Sequence, residues 1–127
     1  MKLHLDQPLA QNTVTAYGPG FVEVNRVRYR GSLLLLPARP AGAWLDDDRG
    51  FDALRAADFD RLLPLRPDLV LLGTGTRQRF PQPALTAPLR AAGIGVEVMD
   101  TGSACRTYNI LVGEGRSVAA ALLIEPA

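Results

Sequence analysis

Hydrophobic and polar residues alternate through the first part of the chain. Thr13–Tyr17 has the pattern of a strand, and Gly18-Pro19-Gly20 is a turn signal that follows it. Phe21–Val24 and Val27–Tyr29 alternate again on either side of Asn25-Arg26. Two short alternating runs around such a pair predict a β-hairpin.

The next segment is apolar and is then interrupted by turn residues. Ser32–Leu36 does not alternate, which predicts a strand buried on both faces. Arg39–Gly42 is a loop rich in Pro and Gly, and Ala43–Leu45 predicts a short strand after it. We interpret Asp46–Asp48 as a solvated turn rather than a metal site, because three adjacent carboxylates cannot all face one ion.

Helical spacing begins after this acidic run. Asp58 is placed to cap or acidify the start of a short helix. Phe59, Leu62 and Leu63 would share one face of that helix. Pro64 is expected to end it, because proline lacks the N–H that a helix interior needs.

Strands and helices then alternate to the end of the chain. A buried strand is predicted at Asp68–Leu72, and further strands are predicted at Gly95–Met99 and Val118–Ile124. A helix from Pro83 to Gly93, kinked at Pro88, would connect the first two strands, and a helix capped by Asp100 and running to about Leu111 would connect the last two. This alternation of strands and helices is typical of an α/β fold with a parallel or mixed sheet.

Composition limits the classes of protein that the chain can represent. Its 127 residues, 47% hydrophobic and 21% charged, predict one globular domain over residues 1–127, with residues 1–12 prone to fraying. The net charge is +1 and the basic residues are dispersed, which argues against nucleic-acid binding. The longest apolar runs are too short to cross a bilayer, and the N-terminus lacks a signal-peptide core. We expect a cytoplasmic protein.

Only two residues could support histidine or cysteine chemistry. His4 lies near the fraying end, and a catalytic triad, a Cys–His dyad or a histidine metal site would all depend on it. Cys105 has no second cysteine with which to form a disulfide or a metal site. It falls on the first or second turn of the last predicted helix, where the helix dipole could lower its pKa, but no resolving cysteine or nearby histidine base is present, so we favour an inert buried thiol. We predict no catalytic side-chain centre, no cofactor and no metal.

Two features are predicted to meet at one edge of the sheet. The loop Gly73–Gly75 follows one strand, with Arg77, Gln78 and Arg79 after it, and the helix start Asp100–Ser103 follows the next. Because ligands often bind at the carboxyl ends of parallel strands, a small anion could lie between the loop and the helix. The alternative is that the glycines only form turns and that Asp100 only caps the helix.

Several longer stretches carry a resemblance to a known family. They are Leu71–Gly75, Gln78–Pro81, Gly93–Thr101, Ala104–Leu111 and Glu114–Arg116. Together they resemble the small α/β family of unknown function that includes the mitochondrial respiratory complex I assembly factor 3 and bacterial hypothetical proteins. The resemblance is strong over residues 68 to 124 and looser over residues 13 to 44.

The resemblance implies a fold, a kind of role and a set of positions. The fold is a three-layer α/β single domain, with a central mixed β-sheet, flanking helices and an accompanying β-hairpin. The role is protein binding, because the mitochondrial member helps assemble a membrane-bound complex. With Cys105 added, the candidate ligand- or partner-binding residues are Gly73, Thr74, Gly75, Gln78, Arg79, Asp100, Thr101, Cys105, Arg106, Thr107, Tyr108 and Asn109.

The leading functional hypothesis is a non-enzymatic binding or assembly-accessory protein, a monomer or weak homodimer, whose partner is another protein. Arg79, Arg106 and Tyr108 would make the main contacts, because Arg and Tyr dominate interface energetics. We expect Arg79→Ala and Arg106→Ala to weaken partner capture with little change in melting temperature. The alternative is a small-molecule or anion-binding protein, with or without a minor enzymatic activity, that uses the same crevice.

Overall fold

The computed structural model describes residues 11–47 and 49–127. Residues 1–10, which include His4, and Asp48 of the acidic run therefore lie outside the described residues. The first three strands are β1 (Val14–Gly18), β2 (Phe21–Val24) and β3 (Val27–Tyr29). They form an antiparallel sheet in the order β1-β2-β3, and β2 and β3 are the predicted hairpin.

Five further strands form a mixed sheet. They are β4 (Leu33–Leu35), β5 (Gly42–Ala43), β6 (Leu69–Gly73), β7 (Gly95–Met99) and β8 (Val118–Leu122). Their order is β5-β4-β8-β6-β7, with β6 parallel to both β7 and β8, and β4 antiparallel to β8 and β5. The parallel pairing of β6 and β7 agrees with the sequence prediction.

Three α-helices in the described residues flank this sheet. They are α1 (Ala56–Asp60), α2 (Pro83–Ala91) and α3 (Thr101–Gly113). Leu71 of β6 packs with Tyr108 of α3 in one core, which the three-stranded sheet also covers. Leu72 packs with Leu89 of α2 in a second core on the opposite face. The result is the predicted three-layer α/β arrangement.

Three local predictions differ from the structure. The short strand lies at Gly42–Ala43 rather than Ala43–Leu45, because Trp44 turns into the core, where its Nε1 donates to the Asp58 carbonyl oxygen at 3.0 Å. Helix α1 begins two residues before Asp58 and ends at Asp60. Helix α2 continues through Pro88 to Ala91; Pro88 is exposed, so the carbonyl that loses its partner there can face water.

Candidate functional site

The loop after β6 and the start of α3 meet as the sequence predicts. The Thr74 backbone N–H donates to the Met99 carbonyl oxygen at 2.9 Å, and the Thr101 N–H donates to the Gly75 carbonyl oxygen at 2.9 Å. These bonds extend the parallel pairing of β6 and β7 past their carboxyl ends. The loop and the helix start therefore form one continuous structure.

Two buried threonines hold this structure together. The Thr74 hydroxyl accepts from the Arg79 N–H at 3.1 Å. The Thr101 hydroxyl accepts from the Gly75 N–H at 2.8 Å and donates to the Leu123 carbonyl oxygen at 2.6 Å. Because an unsatisfied buried backbone group is costly, these hydroxyls serve the fold directly.

Asp100 caps α3, as predicted. Its carboxylate accepts from the Ser103 N–H at 2.8 Å and from the Ser103 hydroxyl at 2.7 Å. These hydrogen bonds hold the pKa of Asp100 below its ordinary value, so the carboxylate is ionised at neutral pH.

The usual ligand position of this topology is filled by a side chain of the protein itself. Helices α2 and α3, which follow β6 and β7, lie on opposite faces of the sheet, so the switch-point crevice lies at the carboxyl ends of β6 and β7. There Glu125 Oε1 accepts from the Thr76 N–H at 2.6 Å and from the Thr76 hydroxyl at 2.8 Å. Gly75 has a φ of +99°, and a Cβ added to it would lie 2.3 Å from Glu125 Oε1.

The presence of Glu125 in the crevice disfavours the binding of an anion there. The Thr76 hydrogen bonds hold the pKa of Glu125 below its ordinary value, so a negative charge already sits in the crevice. The N–H groups of Thr74, Gly75 and Thr76 all donate within the protein. The arrangement therefore favours the turn-and-cap interpretation over an anion cradle.

Two candidate residues are buried and cannot touch a partner directly. Burial raises the pKa of the Cys105 thiol to about 12, which favours an inert buried thiol over one activated by the helix dipole. Tyr108 is fully buried, and its hydroxyl donates to the Asn12 carbonyl oxygen at 2.9 Å. Tyr108 packs in the core and cannot be one of the main contact side chains.

Asn109 acts as a substitute strand neighbour. Its Oδ1 accepts from the Val14 N–H at 2.9 Å, and its Nδ2 donates to the Val14 carbonyl oxygen at 2.8 Å. Because β1 is an edge strand, this amide satisfies backbone groups that would otherwise lack a strand partner. Gln78 has a similar role at the edge of β7, where its Nε2 donates to the Val98 carbonyl oxygen at 2.8 Å.

The two candidate arginines differ in their surroundings. The Arg79 guanidinium lies 4.5 Å from the centre of the Phe51 ring and 3.7 Å from Glu125, with its side chain only 23% exposed. Arg106 is exposed, donates to the Tyr17 hydroxyl and lies over the Tyr17 ring. The expectation of an unchanged melting temperature therefore suits Arg106 and not Arg79.

An open cleft of about 240 Å³ lies beside this exposed pair. Its mainly apolar walls come from Tyr17–Val22, from Gly75-Thr76, from Asp100–Gly102 and from Leu123–Glu125. Sequence reasoning identified the loop and the helix start but missed Tyr17 and Glu125. No local pattern marks them, since Tyr17 lies 89 positions before Arg106 and Glu125 lies 49 positions after Thr76.

The described residues also bear on metal binding and on membrane crossing. No group of three or more His, Cys, Asp or Glu side chains in residues 11–47 and 49–127 is arranged to hold a metal ion. None of the helices in these ranges combines the length and the apolar composition that crossing a bilayer requires.

Comparison with known proteins relates the chain to several others. An uncharacterised protein of Rhodobacter capsulatus is 41% identical over 113 residues, which cover 89% of this chain and 85% of that protein. The NADH dehydrogenase (ubiquinone) 1 alpha subcomplex assembly factor 3 of Bos taurus is 36% identical over 126 residues. That match covers 98% of this chain and 66% of the bovine protein, so the chain spans slightly less than two thirds of this relative.

A solved structure and a family model agree with these relatives. The crystal structure of a protein from Bordetella parapertussis matches with a TM-score of 0.86 and 42% identity, covering 94% of this chain and all of that one. The model of a family described as a protein of unknown function (DUF498/DUF598) matches residues 14–123. The chain therefore belongs to the DUF498/DUF598 family of proteins of unknown function.

Proposed function

We propose that this chain is a non-catalytic assembly accessory that binds a partner protein at the cleft beside Tyr17 and Arg106. The observation that carries the proposal is an open apolar cleft next to an exposed Tyr–Arg pair. Tyr and Arg are enriched among the residues that dominate binding energy at protein interfaces. Similarity to the bovine assembly factor supports the same kind of role.

The exposed side chains extend this surface along α3. Ile110 is 60% exposed and follows Arg106 by four positions, so the two lie on the same helix face. Tyr17 is 40% exposed at the other end of the group. An apolar cleft flanked by Tyr, Arg and Ile suits the centre and rim of a small protein interface. We further propose that binding takes place in the cytoplasm.

Quantitative affinity capture from native lysate tests this proposal. The tagged protein and its Arg106→Ala variant are compared by mass spectrometry, with Arg116→Ala as a matched control because Arg116 is exposed and lies outside the cleft. We expect one or more proteins to be captured by the parent and the control but depleted at least tenfold with Arg106→Ala. Equal capture by all three proteins would contradict a partner site at this surface.

The anion-binding alternative makes a different prediction. A ligand present at 100 times its dissociation constant stabilises a protein by about 2.7 kcal/mol. Because Glu125 already occupies the crevice, we expect phosphates, nucleotides and simple carboxylates to leave the melting temperature unchanged at millimolar concentration. Clear stabilisation by any of these anions would favour the alternative.

A further inference from the structure

The cleft combines apolar walls with two carboxylates. Tyr17, Phe21 and Leu123 are among the apolar residues that line it, and Asp100 and Glu125 also line it. No Lys, Arg or His is among the described residues that line the cleft. The lining itself is therefore acidic, while Arg106 contacts Tyr17 and Ser103 at the rim and Arg79 lies 3.7 Å from Glu125.

Both carboxylates retain the capacity to accept further hydrogen bonds. A carboxylate offers about four lone-pair sites. Asp100 accepts two hydrogen bonds, both from Ser103. Glu125 Oε1 accepts two from Thr76, whereas Glu125 Oε2 accepts none from the described residues and lies 3.7 Å from Arg79 Nη2. A donor that enters the cleft could bind at either carboxylate.

The size of the cleft limits what it can hold. Pockets for drug-sized ligands range from about 300 to 1,000 Å³. At about 240 Å³ the cleft lies just below that range. It suits one large apolar side chain with a neighbouring polar group better than a whole cofactor.

We propose that the cleft binds a segment of the partner protein in which a large apolar side chain lies next to a Lys or Arg. The inference rests on the proposed function, because it describes the chemistry of the partner bound there. The apolar side chain enters the cleft, and the cation meets Asp100 and Glu125. A partner carboxylate at the same place would face two like charges, which disfavours it.

Three small probes with the same apolar body isolate the charge preference. They are 2-phenylethylamine, 2-phenylethanol and 3-phenylpropanoate, each titrated into ¹⁵N-labelled protein and followed through the amide signals of Gly75, Thr76 and Gly102. Fragments of this size bind in the millimolar range. We expect the amine to bind at least fivefold more tightly than the alcohol, and the carboxylate to bind more weakly than the alcohol.

A double variant, Asp100→Asn with Glu125→Gln, removes both charges and keeps the fold. Asn is also a good helix N-cap, and Gln retains an oxygen that can accept from Thr76. In this variant we expect the affinities for the amine and the alcohol to agree within twofold. An amine preference that survives in the variant, or tightest binding of the carboxylate, would overturn the inference.

A third variant separates this inference from the proposed function. In Gly102→Leu the new Cβ would lie 2.9 Å from Tyr17 Cε1, so the side chain narrows the cleft while the Tyr17 ring moves aside. If Gly102→Leu loses partner capture while the three probes bind the parent protein with equal affinity, the charge preference is refuted but the partner site is kept. If Gly102→Leu captures the partner as well as the parent does, and the parent binds none of the probes, both the charge preference and the proposed partner site are refuted.

Discussion

Thr101 and Arg106 lie five positions apart on the same helix, but they have different surroundings. Thr101 is 9% exposed and joins the β6 loop to the residue after β8 through two hydrogen bonds. Arg106 is exposed and contacts Tyr17 and Ser103 at the rim of the cleft. Residues that resemble one continuous motif in the sequence thus divide into a group that holds the fold and a group that faces solvent.

The difference shows how a motif of this kind should be interpreted. Thr74, Thr101, Tyr108 and Asn109 each bond to backbone groups of another part of the chain, so we expect them to stabilise the fold whatever the protein binds. A role in partner binding falls instead to the exposed residues of the same stretch. Mutations in the two groups should therefore have separable effects.

The largest expected effect on stability is that of Thr101→Val. The substitution keeps the shape of the side chain but leaves the Gly75 N–H and the Leu123 carbonyl oxygen without their partner. We expect the free energy of unfolding in urea to fall by about 2–4 kcal/mol. Thr107→Val is the matched control on the same helix, with an expected change within about 0.5 kcal/mol. Equal losses in both variants would remove the distinction between the two groups.

Asn109→Ala should have the next largest effect. It removes two hydrogen bonds to the backbone of Val14, so we expect a loss of about 1–2 kcal/mol. Hydrogen exchange at the Val14 amide should accelerate more than exchange in β6. Ile110→Ala, at a 60% exposed neighbouring position, should change stability by less than about 0.5 kcal/mol. A neutral Asn109→Ala variant would show that this amide is not needed to hold β1.

Arg79 and Arg106 should also differ in how much they stabilise the fold, but by less than the residues above. Arg79→Ala removes the contact with the Phe51 ring and two long ion pairs to Asp52 and Glu125, so we expect a loss of about 1 kcal/mol. Arg106→Ala should cost at most about 0.5 kcal/mol, because the side chain is exposed. Parallel thermal melts would measure both. A larger loss of stability for Arg106→Ala than for Arg79→Ala would contradict the assignment of Arg106 to the solvent-facing group.

The smallest expected effect is a dependence of stability on pH at Glu125. Its pKa is lowered in the folded protein, so ionised Glu125 stabilises the fold above the ordinary pKa of Glu, about 4.3. That contribution is lost as the pH falls through the folded-state pKa. We expect the melting temperature of Glu125→Gln to be lower than that of the parent at pH 7 and closer to it at pH 3. A constant difference across this range would contradict the role of the charge.

Local patterns were enough to predict much of the fold. The hairpin, the parallel pair β6 and β7 and the Asp100 cap each depend on neighbouring residues, and the structure confirms all three. The burial of Tyr108 was not predictable in this way. It depends on which face of α3 packs against the sheet, and several other elements decide that.

The candidate site was less predictable than the fold. The loop and the helix start could be identified because both follow parallel strands. The cleft, however, also needs Tyr17 from β1 and Glu125 from the segment after β8, which meet the helix and the loop only in the folded chain. The Glu125 carboxylate changes the charge that the crevice presents, so the anion expected there does not suit the residues that surround it.

We expect partner binding to depend on the exposed cleft rim and not on the buried motif residues. The most direct measurement is partner affinity and unfolding free energy determined together for the Tyr17→Ala/Arg106→Ala double variant. We expect partner affinity to fall at least tenfold while the free energy of unfolding stays within about 1 kcal/mol of the parent. Unchanged affinity, or a loss of affinity that only accompanies unfolding, would contradict the claim.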